Sequence, residues 1–144
     1  MKNFIILGVF SLALSSFMYG VLDRDFKKVQ RYSELMKKAI SFERLGQAGL
    51  AKACKEEAKK ICLTDLDLTK ADLTEFNLTD ADFCGTDFTS AIMNRVDARG
   101  SDFTWAVISG IKLNDARYDI KSFAFALNRK EIFSDDLFTN LGEK

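Results

Sequence analysis

The chain has 144 residues, 47% of them hydrophobic, a formal net charge of zero, and neither His nor Pro. This length and composition are typical of one ordinary domain with a buried core. Without imidazole, the sequence excludes a Ser-His-Asp triad, a Cys-His pair and every His-ligated metal site. The charge is polarised: residues 21–62 hold 11 Lys/Arg against 6 Asp/Glu, whereas residues 63–119 hold 5 against 11.

Residues 1–20 have the pattern of a signal peptide. Lys2 supplies a positive charge, and residues 4–14 form an apolar run that suits a signal-peptide core but is short for crossing ~30 Å of hydrocarbon. Small residues at Ser15, Ser16 and Gly20 offer cleavage positions. The sequence therefore predicts export to the periplasm or the medium, with no stable membrane insertion after cleavage. An uncleaved N-terminal membrane anchor is the alternative.

A helical segment with basic polar positions follows over residues 21–60. Phe26, Val29 and Ile40 recur at near-helical spacing. Two glycines within residues 45–49 interrupt the pattern, which predicts a helical hairpin. Its apolar face is expected to cap the domain that follows, because the ends of repeat folds expose unpaired strand edges. A membrane-surface or partner-binding helix is the alternative.

Export would place Cys54, Cys62 and Cys84 in an oxidising compartment. Cys54 and Cys62 are eight residues apart, which in an unbroken helix means ~12 Å of rise and no bond. A Cys54–Cys62 disulfide therefore requires the helix to end between them. Free, partly buried thiols are the other interpretation.

From Leu63 onward the chain repeats every five residues. The residue before each repeating position is often Asp, and the residue after it is usually Thr, Ser or Asn. Twelve consecutive repeating positions are apolar or small: Leu63, Leu68, Leu73, Leu78, Phe83, Phe88, Met93, Ala98, Phe103, Ile108, Leu113 and Tyr118. A period of five fits neither a helix nor a strand, so the chain is expected to turn a corner in every repeat.

Segments such as residues 71–75 (ADLTE) and 81–85 (ADFCG) resemble the A(D/N)LXX unit of the pentapeptide-repeat family. The resemblance implies a mainly β fold: a right-handed quadrilateral β-helix with four pentapeptides per coil, in which residues 20 apart stack. Twelve units then imply about three coils over residues 61–119. The pattern weakens in the third coil, where Val107 and Lys112 replace the favoured Asp or Asn.

Stacking at a 20-residue interval implies four interior columns. They are Leu63, Phe83 and Phe103; Leu68, Phe88 and Ile108; Leu73, Met93 and Leu113; and Leu78, Ala98 and Tyr118. Large and small residues share each level, as a filled interior requires. Val96 is expected to fill space where one column shrinks to Ala98.

The outward aspartates are interpreted as solvated ladders rather than as a catalytic or metal site. Asp67 would stack over Asp87, and Asp82 over Asp102, at a coil spacing of ~4.8 Å. Such a pair repels by only about 1 kcal/mol in water. The sequence therefore predicts no catalytic residue, no metal site and no cofactor, and the protein is expected not to be an enzyme.

Trp105 is the candidate recognition residue. It falls at an outward corner, in the column of Asp65 and Gly85, and an exposed Trp can anchor a protein partner. Arg95 and Arg99 are the candidate companions of Trp105 on this surface. A C-terminal segment that folds over Trp105 is the alternative.

After Tyr118 the register is expected to end. Residues 122–127 (SFAFAL) resemble a final strand and Ser134 opens a short helix, so residues 120–144 are predicted to form a C-terminal cap. In some pentapeptide-repeat proteins this cap is the dimer interface. A homodimer through Phe133 and Phe138 therefore stands beside a monomer.

The resulting hypothesis is a non-enzymatic, exported binding or scaffold module with an unidentified protein partner. The resemblance supplies the alternative, an acidic rod that mimics duplex DNA and binds DNA gyrase or a related topoisomerase. Duplex DNA carries one charge per ~1.7 Å, so the repeat region's charge density is of the right order. However, three coils span only ~15 Å, and an exported protein does not meet gyrase. No small-molecule or nucleic-acid partner is therefore expected.

Overall fold

The computed structural model describes residues 20–133. These residues form a helical pair, a stacked repeat region and two short 3-10 helices. The predicted signal peptide, apart from its last residue, and the predicted helix from Ser134 lie outside the described residues. Within residues 20–133, no helix combines the length and the apolar character needed to cross a bilayer.

The helical hairpin expected from the sequence is present. Helix α1 is Gly20–Arg44 and helix α2 is Ala48–Lys59. Between them, Gly46 has a φ of 72°. The N–H groups of Gly46 and Gln47 donate back to carbonyls in the last turn of α1 at 3.0 and 2.8 Å. A left-handed glycine with this pair of bonds satisfies the carbonyls left open at a helix end.

The repeat region turns at every fifth residue. Eleven successive positions at this spacing have a left-handed φ of 53–72°, and we call them the corner residues. They are Asp65, Lys70, Glu75, Asp80, Gly85, Ser90, Arg95, Gly100, Trp105, Gly110 and Asp115. Only a few residues remain extended between two corners. Strands are therefore as short as β1 (Asp97–Ala98) and β2 (Arg117–Tyr118).

Successive layers pair in parallel, with partners 20 residues apart. Strand β1 pairs with β2 in this register. Isolated parallel bridges link Asp67 to Asp87, Asp87 to Val107, and Val107 to Leu127. The 20-residue interval implied by the resemblance is therefore the interval at which the layers stack.

The predicted interior columns form the core. Ten of their twelve residues are buried, and Leu113 and Tyr118 are partly buried. Val96 is buried beside Ala98, as expected. The ring of Phe103 stacks on that of Phe83 with centroids 5.5 Å apart.

One column continues past the point where the register was expected to end. The ring of Phe123 stacks on that of Phe103 at 4.4 Å and 13°, and Phe123 is fully buried. Residues 122–127 are not a regular strand, because a 3-10 helix, Ile120–Phe123, carries the ring inward. Strand-like pairing resumes only at Leu127. The expectation that the register ends at Tyr118 is therefore wrong for this column.

Helix α1 packs on the first layer of the repeat region. Val29, Tyr32 and Met36 are buried in the same apolar cluster as the interior columns. At the edge of this contact, the ring of Phe26 lies 5.7 Å from that of Phe76. The apolar face recognised in the sequence is thus the face that meets the repeats.

Two polar side chains of α1 bind backbone groups of the first layer. The Asp67 N–H donates to Asp25 Oδ2 at 3.2 Å, and the Asn77 N–H donates to Ser33 Oγ at 2.8 Å. In the second layer, the N–H groups of Asp87 and Asp97 occupy the corresponding positions, and they donate to the carbonyls of Leu66 and Phe76 in the first layer. Among the residues that the structure describes, no layer precedes the first one, and α1 supplies the acceptors that a preceding layer would supply.

Tyr32 makes the stability of this contact depend on pH. Its O–H donates to the Thr79 carbonyl at 2.7 Å. Burial, together with the Asp80 carboxylate, raises the pKa of Tyr32 to about 12. A raised pKa favours the neutral phenol in the folded protein, so its stabilisation is complete below pH ~10 and is lost as pH rises through about 12.

We therefore expect wild-type stability to fall more steeply between these pH values than that of a Tyr32→Phe variant. Urea unfolding at a series of pH values measures both slopes. Equal slopes would show that the phenol does not stabilise the folded state in its neutral form.

Candidate functional site

Trp105 lies at an outward corner, as predicted. The residue is 60% exposed. Its backbone N–H donates to the Phe125 carbonyl at 3.2 Å. The corner above it is Gly85, where a Cβ would lie 2.3 Å from Asp65 Oδ1. Glycine adopts the left-handed corner conformation without steric cost, as at Gly110, so the fold itself does not require a Trp at this corner.

Three more apolar side chains lie beside Trp105. Phe125 is 65% exposed, Leu127 is 43% exposed and Val107 is partly exposed. The hydrogen bond to Phe125 and the parallel bridge between Val107 and Leu127 place these residues in two adjacent layers. We call Trp105, Val107, Phe125 and Leu127 the apolar corner patch.

The same outward positions are polar or small in the earlier layers. The corner column consists of Asp65, Gly85 and Trp105, and Phe125 follows 20 residues after Trp105 without the left-handed φ of a corner residue. The neighbouring column consists of Asp67, Asp87, Val107 and Leu127. Both columns change from charged or small residues to large apolar ones between the second layer and the third. Contiguous exposed apolar surface of this kind marks interaction sites in soluble proteins.

Carboxylates border the patch on the side of the earlier layers. Asp65, Asp82 and Asp102 lie around Cys84, whose thiol pKa is raised by partial burial first and then by these three charges. Asp102 Oδ1 also accepts hydrogen bonds of 2.8 and 2.6 Å from the residue directly before Trp105. The apolar corner patch therefore has an acidic border.

Arg95 and Arg99 lie elsewhere than predicted. Arg95 is a corner residue two corners before Trp105, and its Nη2 lies 2.8 Å from Glu75 Oε1. With four corners in each 20-residue layer, Arg95 and Trp105 occupy diagonally opposite corners. Arg99 forms a two-point pair with Asp97 at 2.8 and 2.7 Å, which lowers the pKa of that carboxyl. The structure does not bring the three predicted residues into one surface.

Phe125 and Leu127 are functional candidates that the sequence analysis missed. Both lie 20 residues after members of the patch, so a further step along the repeat register reaches them. The expectation that the register ends at Tyr118 excluded both residues from the predicted surface.

The three cysteines are free thiols in the structure. The Cys54–Cys62 disulfide considered from the sequence is not formed, although α2 ends at Lys59 between the two residues. The Cys62 sulfur instead lies 3.3 Å from Thr64 Oγ1, and this hydrogen bond lowers the pKa of the Cys62 thiol. Across residues 20–133, no three Cys, Asp or Glu side chains lie close enough together to hold one metal ion.

Phe133, one of the two predicted dimer contacts, is used inside the chain. It is 5% exposed, and its ring centroid lies 5.3 Å from that of Phe123 and 5.8 Å from that of Tyr118. Phe138 lies outside the described residues. Dimerisation through the C-terminal cap stays a prediction.

The fold and this outward patch define a stacked repeat protein with a 20-residue period. Residues 63–104 match the family model of pentapeptide repeats in eight copies. These residues are pentapeptide repeats, as the A(D/N)LXX pattern indicated. The match ends directly before Trp105, so the apolar corner patch lies beyond it. No curated protein matches the chain at a significant level.

Proposed function

We propose that this chain is an exported, non-enzymatic pentapeptide-repeat protein that binds a protein partner through the apolar corner patch. The observation that carries the proposal is the change of two outward columns from Asp and Gly to large apolar residues. Removing such residues from water contributes about 25 cal/mol per Å² of apolar surface, from which the entropy cost of association is subtracted. A Trp at the centre of an interface is among the residues that contribute most to binding.

The repeat region is proposed to hold the patch rigid, in about three right-handed coils. Stacked rings at Phe83, Phe103 and Phe123 and the 20-residue pairing of layers support this role. A surface already fixed before binding loses little conformational entropy when the partner arrives.

Chemical cross-linking in native cells tests the patch. Trp105→Gly removes the indole while keeping a residue that suits the left-handed corner. Arg95→Gly is the matched control, because it makes the same change at the diagonally opposite corner and breaks only an exposed ion pair. We expect wild type and Arg95→Gly to give the same cross-linked adduct and Trp105→Gly to lose it. Equal adducts from all three proteins would contradict the proposal.

Export rests on Lys2 and the apolar run of residues 4–14. The intact mass and N-terminal sequence of the protein from fractionated native cells test it. We expect a mature chain beginning between Ser16 and Val21, recovered from the periplasm or the medium. A chain beginning at Met1 in the cytosol would overturn export.

The cytosolic outcome would favour the second candidate, a DNA-mimicking protein that binds gyrase or a related topoisomerase. The outward acidic columns are the observation in its favour. Against it, Arg95 neutralises Glu75, Arg99 neutralises Asp97, and the acidic columns give way to the apolar corner patch. These features favour a protein partner that is not a duplex-binding enzyme.

A further inference from the structure

We propose that the partner presents a cationic segment to the apolar corner patch, with Lys or Arg side chains on either side of one or two large apolar residues. This inference rests on the proposed function and names the chemistry of the partner. It is argued from the border of the patch rather than from the patch alone.

Carboxylates lie on both sides of the Trp105 corner. Asp82 and Asp102 pair in adjacent layers, and Asp102 lies three residues before Trp105. Asp87 lies directly above Val107 in the next column. A segment that covers the indole and Val107 therefore has carboxylates on both sides of the corner within reach of its own flanking side chains.

Among residues 20–133, none of the carboxylates of Asp82, Asp87 and Asp102 lies in an ion pair. Asp82 Oδ1 and Asp87 Oδ1 accept hydrogen bonds from backbone N–H groups two residues on. Asp102 Oδ1 accepts hydrogen bonds from both the backbone N–H and the hydroxyl of Thr104. Within residues 63–119, the ion pairs lie at Glu75 and Asp97, away from the Trp105 corner. An acidic border of this kind attracts cations and repels anions, which selects among apolar partners.

Basic residues follow the patch on the side away from the earlier layers. Arg129 and Lys130 follow Leu127 and are engaged in interactions of their own. The charged residues nearest the patch on the side of the earlier layers are all acidic, namely Asp82, Asp87 and Asp102. A cationic segment therefore fits best when it lies across Trp105 and Val107 toward Asp87 and Asp102.

The single Trp of the chain reports the binding directly. Two synthetic amphipathic peptides serve as probes, with leucines at the same positions and either lysine or glutamate at every charged position. The full mature chain is titrated with each peptide while the Trp105 emission maximum is recorded. We expect the lysine peptide to shift the emission to shorter wavelength and the glutamate peptide to leave it unchanged. Raising the salt concentration from about 0.05 to about 0.5 M should weaken the binding of the lysine peptide severalfold, because salt screens the attraction between charges.

An Asp82→Asn, Asp102→Asn double variant separates charge from structure. Asn77 accepts the same backbone hydrogen bond from Thr79 that these aspartates accept from the residues two positions on, so Asn suits the position. We expect the double variant to bind the lysine peptide about two- to tenfold more weakly, since exposed ion pairs are individually modest. Asp72→Asn, the same change in the first layer away from this corner, is the matched control and should bind as wild type does.

Equal binding of the two peptides would overturn the cationic partner and leave the apolar patch as a binding surface. A shift that grows with protein concentration alone would also overturn it, because a second copy of this chain would then occupy the patch. If neither peptide shifts the Trp105 emission, the inference is overturned. The proposed function is tested separately, by the cross-linking of the Trp105→Gly variant.

Discussion

Replacing Phe103 by alanine is expected to lower the free energy of unfolding by about 3–5 kcal/mol. Phe103 is fully buried, and its ring lies between those of Phe83 and Phe123, at 5.5 and 4.4 Å. The ring of Phe88 packs against it at 5.6 Å. Rings above and below are fixed by the backbone pairing of their own layers, so they cannot collapse into the space left by the missing ring.

Phe125→Ala is the matched control for this change. It removes the same side chain from the outside of the adjacent layer, where Phe125 is 65% exposed. Urea unfolding followed by circular dichroism should place the control within about 0.5 kcal/mol of wild type. A Phe103→Ala loss no larger than that of Phe125→Ala would show that the predicted column does not form the core.

Replacing both Asp25 and Ser33 by alanine is expected to destabilise the protein by about 2–6 kcal/mol. Each change leaves a first-layer N–H, of Asp67 or Asn77, without its acceptor at a contact covered by α1. An unsatisfied buried polar group costs about 1–3 kcal/mol. The two sites do not share a partner, so their effects should add.

Asp25→Asn and Glu34→Ala are the controls for this prediction. Asp25→Asn keeps a side-chain oxygen for the Asp67 N–H, and Glu34 lies on the exposed side of α1. Denaturant unfolding should show a small loss for Asp25→Asn and almost none for Glu34→Ala. If the double alanine variant unfolds at the same denaturant concentration as Glu34→Ala, α1 does not satisfy the edge of the first layer.

The five-residue pattern predicted which positions point inward, because inward and outward positions recur in the same order in every repeat. The resemblance to pentapeptide repeats supplied the 20-residue interval that places Leu63, Phe83 and Phe103 in one column. The hairpin of α1 and α2 followed from helical spacing and from the glycines that interrupt it. These features depend on local periodicity, which the sequence displays directly.

The binding surface was less accessible to sequence reasoning. Arg95 and Arg99 are near Trp105 along the chain, but corners separate them from it in space. Phe125 and Leu127 join the patch only because a 3-10 helix at Ile120–Phe123 returns the chain to the stack. This local change of conformation has no five-residue signature.

The role of Asp25 and Ser33 was also hidden. Both interrupt the apolar face of α1, and their partners are backbone groups more than 40 residues away in sequence. A polar residue on the apolar face of a helix can be assigned a capping role only when the unpaired strand edge beneath it is known.

We expect a partner to cover Trp105 and Phe125 in the cell. Hydroxyl-radical footprinting read by mass spectrometry compares side-chain oxidation in intact native cells with that of the purified protein. Leu45, which is 71% exposed in the turn between α1 and α2, serves as the internal reference. The account predicts that Trp105 and Phe125 are oxidised more slowly in cells while Leu45 is unchanged. Oxidation of Trp105 and Phe125 at the purified rate, relative to Leu45, would contradict it.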